Sequence, residues 1–124
     1  MNDSKIGQMG WIDLTVDNAD EIKDFYASVV GWSTQRVEMD GYNDYSMQMP
    51  VSGKDVAGIC HRKGSNAELP AKWLPYFIVQ DIEHALANVV ARNGKTLSDI
   101  RTYGNSKFVI IEDPAGAVCA LYQE

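Results

Sequence analysis

Trp11-Ile12-Asp13-Leu14-Thr15-Val16, with the segment from Asn18 to Gly31 that follows it, decides the fold. The first six residues alternate strictly. Ile12, Leu14 and Val16 fall on one face and Trp11, Asp13 and Thr15 on the other, the pattern of a half-buried strand. The period then changes. Ala19, Ile22, Phe25, Tyr26, Val29 and Val30 recur at helical spacing. Asn18 stands three residues before Glu21, a capping-box spacing, and Gly31 supplies a C-terminal stop. A strand therefore leads into an amphipathic helix.

The same pattern returns in the second half. Leu74 to Val79 reads as a strand and Asp81 as a helix cap. Ile82, Ala85, Leu86, Val89 and Val90 form the apolar stripe, and Gly94 ends it. Val16 maps to Val79 and Gly31 to Gly94 at one common offset, close to half the chain. Three further strand-like stretches follow each pair. The first three are Trp32–Glu38, Tyr45–Met49 and Val56–Cys60; the second three are Thr96–Thr102, Lys107–Glu112 and Ala117–Tyr122. Turns are expected at Gly41, Gly53, Gly104 and Asp113-Pro114-Ala115-Gly116. The stretch 63–72, carrying Gly64, Asn66 and Pro70, reads as a linker. The expectation is a single α+β domain over 1–124, made of a βαβββ module at 10–62 and a second at 73–124.

Composition narrows the function. The chain has 124 residues, 45% hydrophobic and 23% charged, enough for a core without disulfides or structural metal. Its 17 acidic against 11 basic residues give a net charge of -6. No basic stripe is present to displace counterions, so no nucleic-acid partner is expected. The apolar runs Tyr76–Val79 and Phe108–Ile111 are far shorter than the ~20 residues of a membrane helix, and the first ten residues lack a leader's apolar region. Cys60 and Cys119 stand far apart in sequence, which reads as reduced thiols in a cytoplasmic protein.

Phosphate-loop, nucleophile-elbow, dinucleotide and zinc-protease motifs are all missing from the sequence. His84 falls off its helix's apolar stripe and reads as a surface residue. His61, before Arg62 and Lys63, reads as a polar strand end, with a pocket mouth as the alternative. A Cys60–His61 pair is disfavoured, because strand neighbours point to opposite faces. Asp13 is the residue singled out: a mid-strand carboxylate beside Trp11. It is either a structural acid satisfied by hydrogen bonds or a base or ligand anchor in a pocket. Its counterpart at the repeat offset is Tyr76. Met47 and Met49, alternating with Ser46 and Gln48, read as strand core or as a ligand-gripping surface.

Trp11–Leu14, Phe25-Tyr26, Gly31-Trp32, Val56–Ile59, Trp73, Tyr76 and Asp113–Ala117 together resemble the vicinal oxygen chelate superfamily, the glyoxalase/bleomycin-resistance/dioxygenase family. The likeness runs from about Gly10 to Gln123 and is nearest to its glyoxalase-like branch often labelled "hydroxylase". It implies a curled mixed sheet forming a cup from the two modules, a small-molecule ligand and a homodimer. It also implies metal ligands on the first and last strands of each module. Those positions resemble Trp11, Gly58, Leu74 and Ala120 here, none of which binds a divalent ion through its side chain. No metal and no other cofactor is therefore expected.

Three functional readings follow. The first is metal-independent binding of a small, largely apolar or aromatic molecule by Trp11, Asp13, Met47, Tyr76, Phe108 and Tyr122. The second is a cofactor-free enzyme in which Asp13 moves a proton on a carbonyl-containing substrate, or a metal-dependent member with non-standard ligands. The third is an interaction module whose cup is filled by its own side chains, Trp11, Met47, Phe108 and Tyr122 among them.

Overall fold

A computed structural model describes residues 3–124; Met1 and Asn2, where the stretch read as lacking a leader begins, lie outside them. The fold is mixed α+β. In chain order the elements are β1 (Met9–Val16), α1 (Ala19–Val30), β2 (Ser33–Glu38), β3 (Asn43–Gln48) and β4 (Asp55–His61). After these come β5 (Trp73–Ile78), α2 (Ile82–Ala91), β6 (Lys95–Thr96), β7 (Arg101–Tyr103), β8 (Ser106–Glu112) and β9 (Val118–Gln123). Two compact units result. One is Ile12–Trp73; the other is Leu74–Glu124 with the described residues up to Trp11. Among the described residues no helix is long and apolar enough to cross a membrane.

In the unit Ile12–Trp73 the strand order is β2-β3-β4-β1. β1 runs parallel to β4, with Asp13 opposite Gly58 and Val16 opposite His61, while β2, β3 and β4 are antiparallel neighbours. Leu14, Ala19, Tyr45, Met47, Ala57 and Ile59 form the buried core, and Ile12, Val16, Ile22 and Tyr26 pack against it. The even positions of β1 thus face α1, as alternation requires. Gly31 closes α1 in the left-handed region at φ 89°, its N–H donating to Ala27 O at 3.0 Å.

Two local expectations are corrected. Asn18 occupies the N-cap, but its side chain caps no backbone N–H; its amide donates to Glu21 Oε2 at 2.7 Å instead. The α1 stripe is also only partly buried. Ala19, Ile22 and Tyr26 meet the sheet, whereas Phe25, Val29 and Val30 are exposed, because they project to the side of the line that does.

In the other unit the order is β1-β5-β9-β8-β6, with β7 on the edge of β8. The chain entering β1 bonds to β5 through Gly7 N–H to Ile78 O and Ile78 N–H to Gln8 O. β5 is parallel to β9; β6, β7 and β9 are antiparallel to β8. Ile82, Val109, Ile111 and Leu121 make the core, joined by Phe77, Val79, Leu86 and Val89. Asp81 caps α2, accepting from the N–H groups of Glu83 and His84 at 3.0 and 3.2 Å.

Gly94 is needed for close approach rather than for a left-handed turn. Asn93 takes the positive φ of 70°. A Cβ on Gly94 would lie 2.8 Å from Val89 Cγ1 and 3.0 Å from Glu112 O. The strand expected over 96–102 is split into β6 and β7. In the gap Leu97 N–H still donates to Ile110 O, but Ser98 Oγ takes the Ile110 N–H at 3.0 Å. A side chain has replaced one rung of the ladder. Between β8 and β9, Asp113 Oδ1 accepts from Ala115 N–H at 2.8 Å and Ala117 N–H at 3.0 Å, with Gly116 at φ 88°.

Candidate functional site

In each unit the sheet face opposite the helix carries the sequence-predicted polar and aromatic positions. In the unit containing β9, Phe108 pairs with Tyr122, and Ala120 pairs with both Ile110 and Tyr76. Directly paired residues share a face, so Tyr76, Phe108 and Tyr122 stand together, opposite α2. The rings of Tyr76 and Phe108 are 6.0 Å apart, tilted at 44°, and the Tyr122 hydroxyl donates to Ser106 Oγ at 2.8 Å. These three aromatics are half-buried, whereas Leu74, Ile110 and Ala120 on the same face are buried. Arg101, opposite Phe108 in β7, belongs to this face as well. Its Nη1 is buried with no acceptor. Trp11 is half-buried and closes this unit's share of β1.

In the unit Ile12–Trp73, register places Asp13, Gly58, Ser46 and Gln35 in one row across β1, β4, β3 and β2. This face is polar. Ser46 Oγ donates to Asp55 Oδ1 at 2.7 Å, and Gln48 Nε2 reaches Gln35 Oε1 at 2.8 Å and Asp55 Oδ1 at 3.0 Å. A bulge at Val56, where the register passes from Met47–Ala57 to Gln48–Asp55, turns Asp55 to this side. The Ser46 and then the Gln48 hydrogen bonds hold the Asp55 carboxyl below its ordinary range. Asp13 is half-buried. Burial pushes the Cys60 thiol strongly up, and the nearby Asp13 and Asp44 charges push it further. A thiol pushed up in this way is a poor nucleophile.

Of the two readings of Met47, the structure gives strand core, and the side chain does not stand with the other residues expected to bind a ligand. It is fully buried in the core with Leu14, Tyr45, Ala57 and Ile59. Tyr45 and Met47 share a parity on β3, and that parity faces α1, so Met47 is packing and Ser46 and Gln48 hold the opposite face. Asp13 and Met47 therefore lie on opposite sides of the same sheet.

His61 ends β4, as expected of a strand end, but it is buried, 5% exposed. Its Nδ1 is 3.5 Å from Asp44 Oδ1 and its Nε2 3.7 Å from Asp20 Oδ1, while its backbone N–H donates to Asp44 Oδ1 at 2.8 Å. The Tyr45 hydroxyl donates to Asp20. That bond, with burial behind it, pushes the phenol up to about 12, and the same bond lowers the Asp20 carboxyl against the opposing effect of burial. Tyr42 meets His61 edge-on at 5.4 Å. The signal for this cluster was legible in principle, since His61 shares the parity of Ala57 and Ile59. His84, by contrast, is exposed on α2, as expected.

The positions that would hold a metal do not suit one. Gly58 and Ala120 lie opposite Asp13 and Tyr76, and neither has a side-chain donor. Among the described residues no three His, Cys, Asp or Glu side chains gather into a metal-holding group.

Comparison with known proteins gives consistent matches. The family model described as Glyoxalase/Bleomycin resistance protein/Dioxygenase superfamily matches residues 8–121. A Mycobacterium bovis protein named "Putative glyoxylase CFP32" is 29% identical over 121 residues, covering 94% of this chain and 46% of the relative. The anthracycline biosynthesis protein DnrV of Streptomyces peucetius is 26% identical over 131 residues, covering 95% and 47%. The chain thus spans about half the length of the curated relatives it matches. Among solved structures, a Streptomyces coelicolor methylmalonyl-CoA epimerase in complex with 2-nitronate-propionyl-CoA superposes with a TM-score of 0.63 at 14% identity, covering 96% and 98%. A Vibrio splendidus superfamily member gives 0.61 at 14% identity, covering 92% and 97%. At that identity the structural likeness concerns the fold.

Proposed function

The chain belongs to the Glyoxalase/Bleomycin resistance protein/Dioxygenase superfamily, and we propose that it binds a small, largely apolar or aromatic organic molecule without a metal ion. The observation that carries this reading is the half-buried trio Tyr76, Phe108 and Tyr122, gathered by strand register on the face opposite α2. Aromatic side chains offer large apolar area with a polar handle at the tyrosine hydroxyls, the composition of an organic-ligand site. The missing donors at Gly58 and Ala120 support the metal-independent part, and no step is routed through an ion.

A thermal-shift titration with a panel of aromatic and acyl compounds tests binding. A true ligand at a hundred times its Kd stabilises by about 2.7 kcal/mol; flat melting curves across the panel would sink the reading. Native mass spectrometry with nickel, zinc or manganese tests the rest. Stoichiometric metal that disappears in Asp13→Ala would overturn metal independence.

A second reading rests on Asp13, a half-buried carboxylate in the polar row with Gly58 and Ser46. There it is the base that takes a proton from carbon next to a carbonyl. Asp13→Asn would then abolish turnover of such a substrate while retaining its binding; equal loss of both would place Asp13 in binding alone. We also propose a homodimer, supported by the exposed Phe25, Val29 and Val30 of α1 and checked by light scattering, a monomer being the contrary result. The free thiols Cys60 and Cys119 support a cytoplasmic setting.

A further inference from the structure

We propose that Arg101 is an anion-recognition subsite on the face opposite α2, taking the carboxylate of an organic acid whose apolar part lies against Tyr76 and Phe108. The inference rests on the reading of that face as a binding face.

The placement comes from register. Arg101 pairs with Phe108, and Phe108 with Tyr122, in consecutive antiparallel strands. All three side chains therefore leave the sheet on one side. Ser106, two residues before Phe108, leaves on the same side one row along. Its Oγ already accepts the Tyr122 hydroxyl proton at 2.8 Å, so its own hydroxyl proton is available to a second acceptor.

The chemistry comes from what Arg101 lacks. Its Nη1 is buried and has no acceptor. Burying a guanidinium donor without a partner is costly, and proteins normally satisfy it. Acidic residues are not scarce here, 17 against 11 basic. The contrast with Arg62 is direct: that guanidinium donates through Nε to Leu69 O at 2.9 Å and through Nη1 to Asp17 Oδ2 at 3.1 Å. A ligand carboxylate would supply the acceptor that the chain withholds. The planar guanidinium fork matches a carboxylate in two parallel hydrogen bonds. The tilted Tyr76–Phe108 pair alongside favours an aryl or acyl group attached to it. The expected ligand class is a monocarboxylic acid with a flat or short apolar body.

Phenylacetate and its neutral amide, phenylacetamide, are titrated by NMR and calorimetry into the wild-type protein, Arg101→Met and Arg101→Lys. In the wild type the acid is expected to bind at least about tenfold tighter than the amide, about 1.4 kcal/mol, with shifts at Tyr76 and Phe108. In Arg101→Met the preference disappears while amide affinity is kept, and the ligand-free protein melts no lower than wild type, since a buried donor atom without an acceptor has been removed. Arg101→Lys keeps the charge but loses the fork, so it loses several-fold on the acid alone; it serves as the readout if Arg101→Met fails to fold. Equal affinity for acid and amide in the wild type overturns the Arg101 inference and leaves the binding face standing. Failure of both probes to bind removes the binding face and Arg101 with it. An acid preference that persists in Arg101→Met assigns the guanidinium a structural role satisfied by water, and overturns the inference.

Discussion

Met47→Ala distinguishes a core residue from a ligand contact. The substitution removes Cγ, Sδ and Cε from a side chain with 0% exposure, packed with Leu14, Ala57 and Ile59. At ~0.8 kcal/mol per buried methylene-sized group, the lost transfer energy is about 2.4 kcal/mol. If about 50 Å³ of the vacated space stays unfilled, ~24 cal/mol per Å³ adds about 1.2 kcal/mol. The expected cost is therefore ~3–4 kcal/mol, whereas Met47→Leu, which nearly conserves volume, should cost less than ~1.5 kcal/mol. Urea unfolding measures both, with the slope m unchanged if only the native core is touched. In a thermal scan Met47→Ala should fall by roughly 10 °C or more. Ligand affinity should change in neither variant once the folded fraction is accounted for. A Met47→Ala protein within ~0.5 kcal/mol of wild type, with altered affinity for a bound aromatic, would refute the assignment of Met47 to the α1 side.

Three other predictions follow from local geometry. Asp81→Ala should cost about 1 kcal/mol because the carboxylate accepts from two backbone N–H groups. Asn18→Ala should cost only a few tenths, having no such bond to lose; equal melting losses would contradict the cap assignments. Tyr45 is raised to about 12, first by its bond to Asp20 and then by burial. A raised folded pKa gives stability that is complete below the ordinary phenol value of about 10 and is lost as pH climbs toward 12. Wild type should therefore lose stability more steeply than Tyr45→Phe in that window, and parallel alkaline curves would argue against the pair. Finally, Asp13→Asn removes a negative charge that raises the Cys60 thiol. Alkylation of Cys60 should accelerate several-fold, though burial, the larger cause, keeps it slow. An unchanged rate would mean that Asp13 and Cys60 do not interact.

Much of the fold was legible because its signals are local. The alternation from Trp11 to Val16, the helical spacing from Ala19, and Asp81 at a cap are each decided within a few residues, and the common offset tied the halves together. What was missed depends on neighbours distant in sequence. Phe25, Val29 and Val30 fit the helical period yet stay exposed, because the sheet beneath α1 reaches only the line of Ala19, Ile22 and Tyr26. The break between β6 and β7 depends on Ser98 finding Ile110, twelve residues on. His61 read as a polar strand end beside Arg62 and Lys63, and its burial depends on the approach of Asp20, Tyr42 and Asp44. The candidate site divides the same way. Tyr76 follows from the repeat offset to Asp13, but strand pairing is what sets Phe108 and Tyr122 beside it, and Arg101 emerges only when β7 is paired and its Nη1 is left without an acceptor.

The turn at Asp113–Gly116 has a consequence for which side chains a ligand could meet. Asp113 ties both Ala115 and Ala117 to one carboxylate oxygen, and its own N–H donates to Ala117 O. That arrangement sets where β9 begins relative to β8. A slip of β9 by a single residue would exchange Ala120 and Tyr122 for Cys119 and Leu121, carrying the Tyr122 ring to the side of α2 and bringing aliphatic bulk beside Phe108. The small side chain at position 120, next to Tyr76 and Ile110, would be lost from that face at the same time. One exposed acid far along the strand thus acts as the indexing pin of the aromatic surface, and selection on ligand shape would reach a residue that no ligand touches.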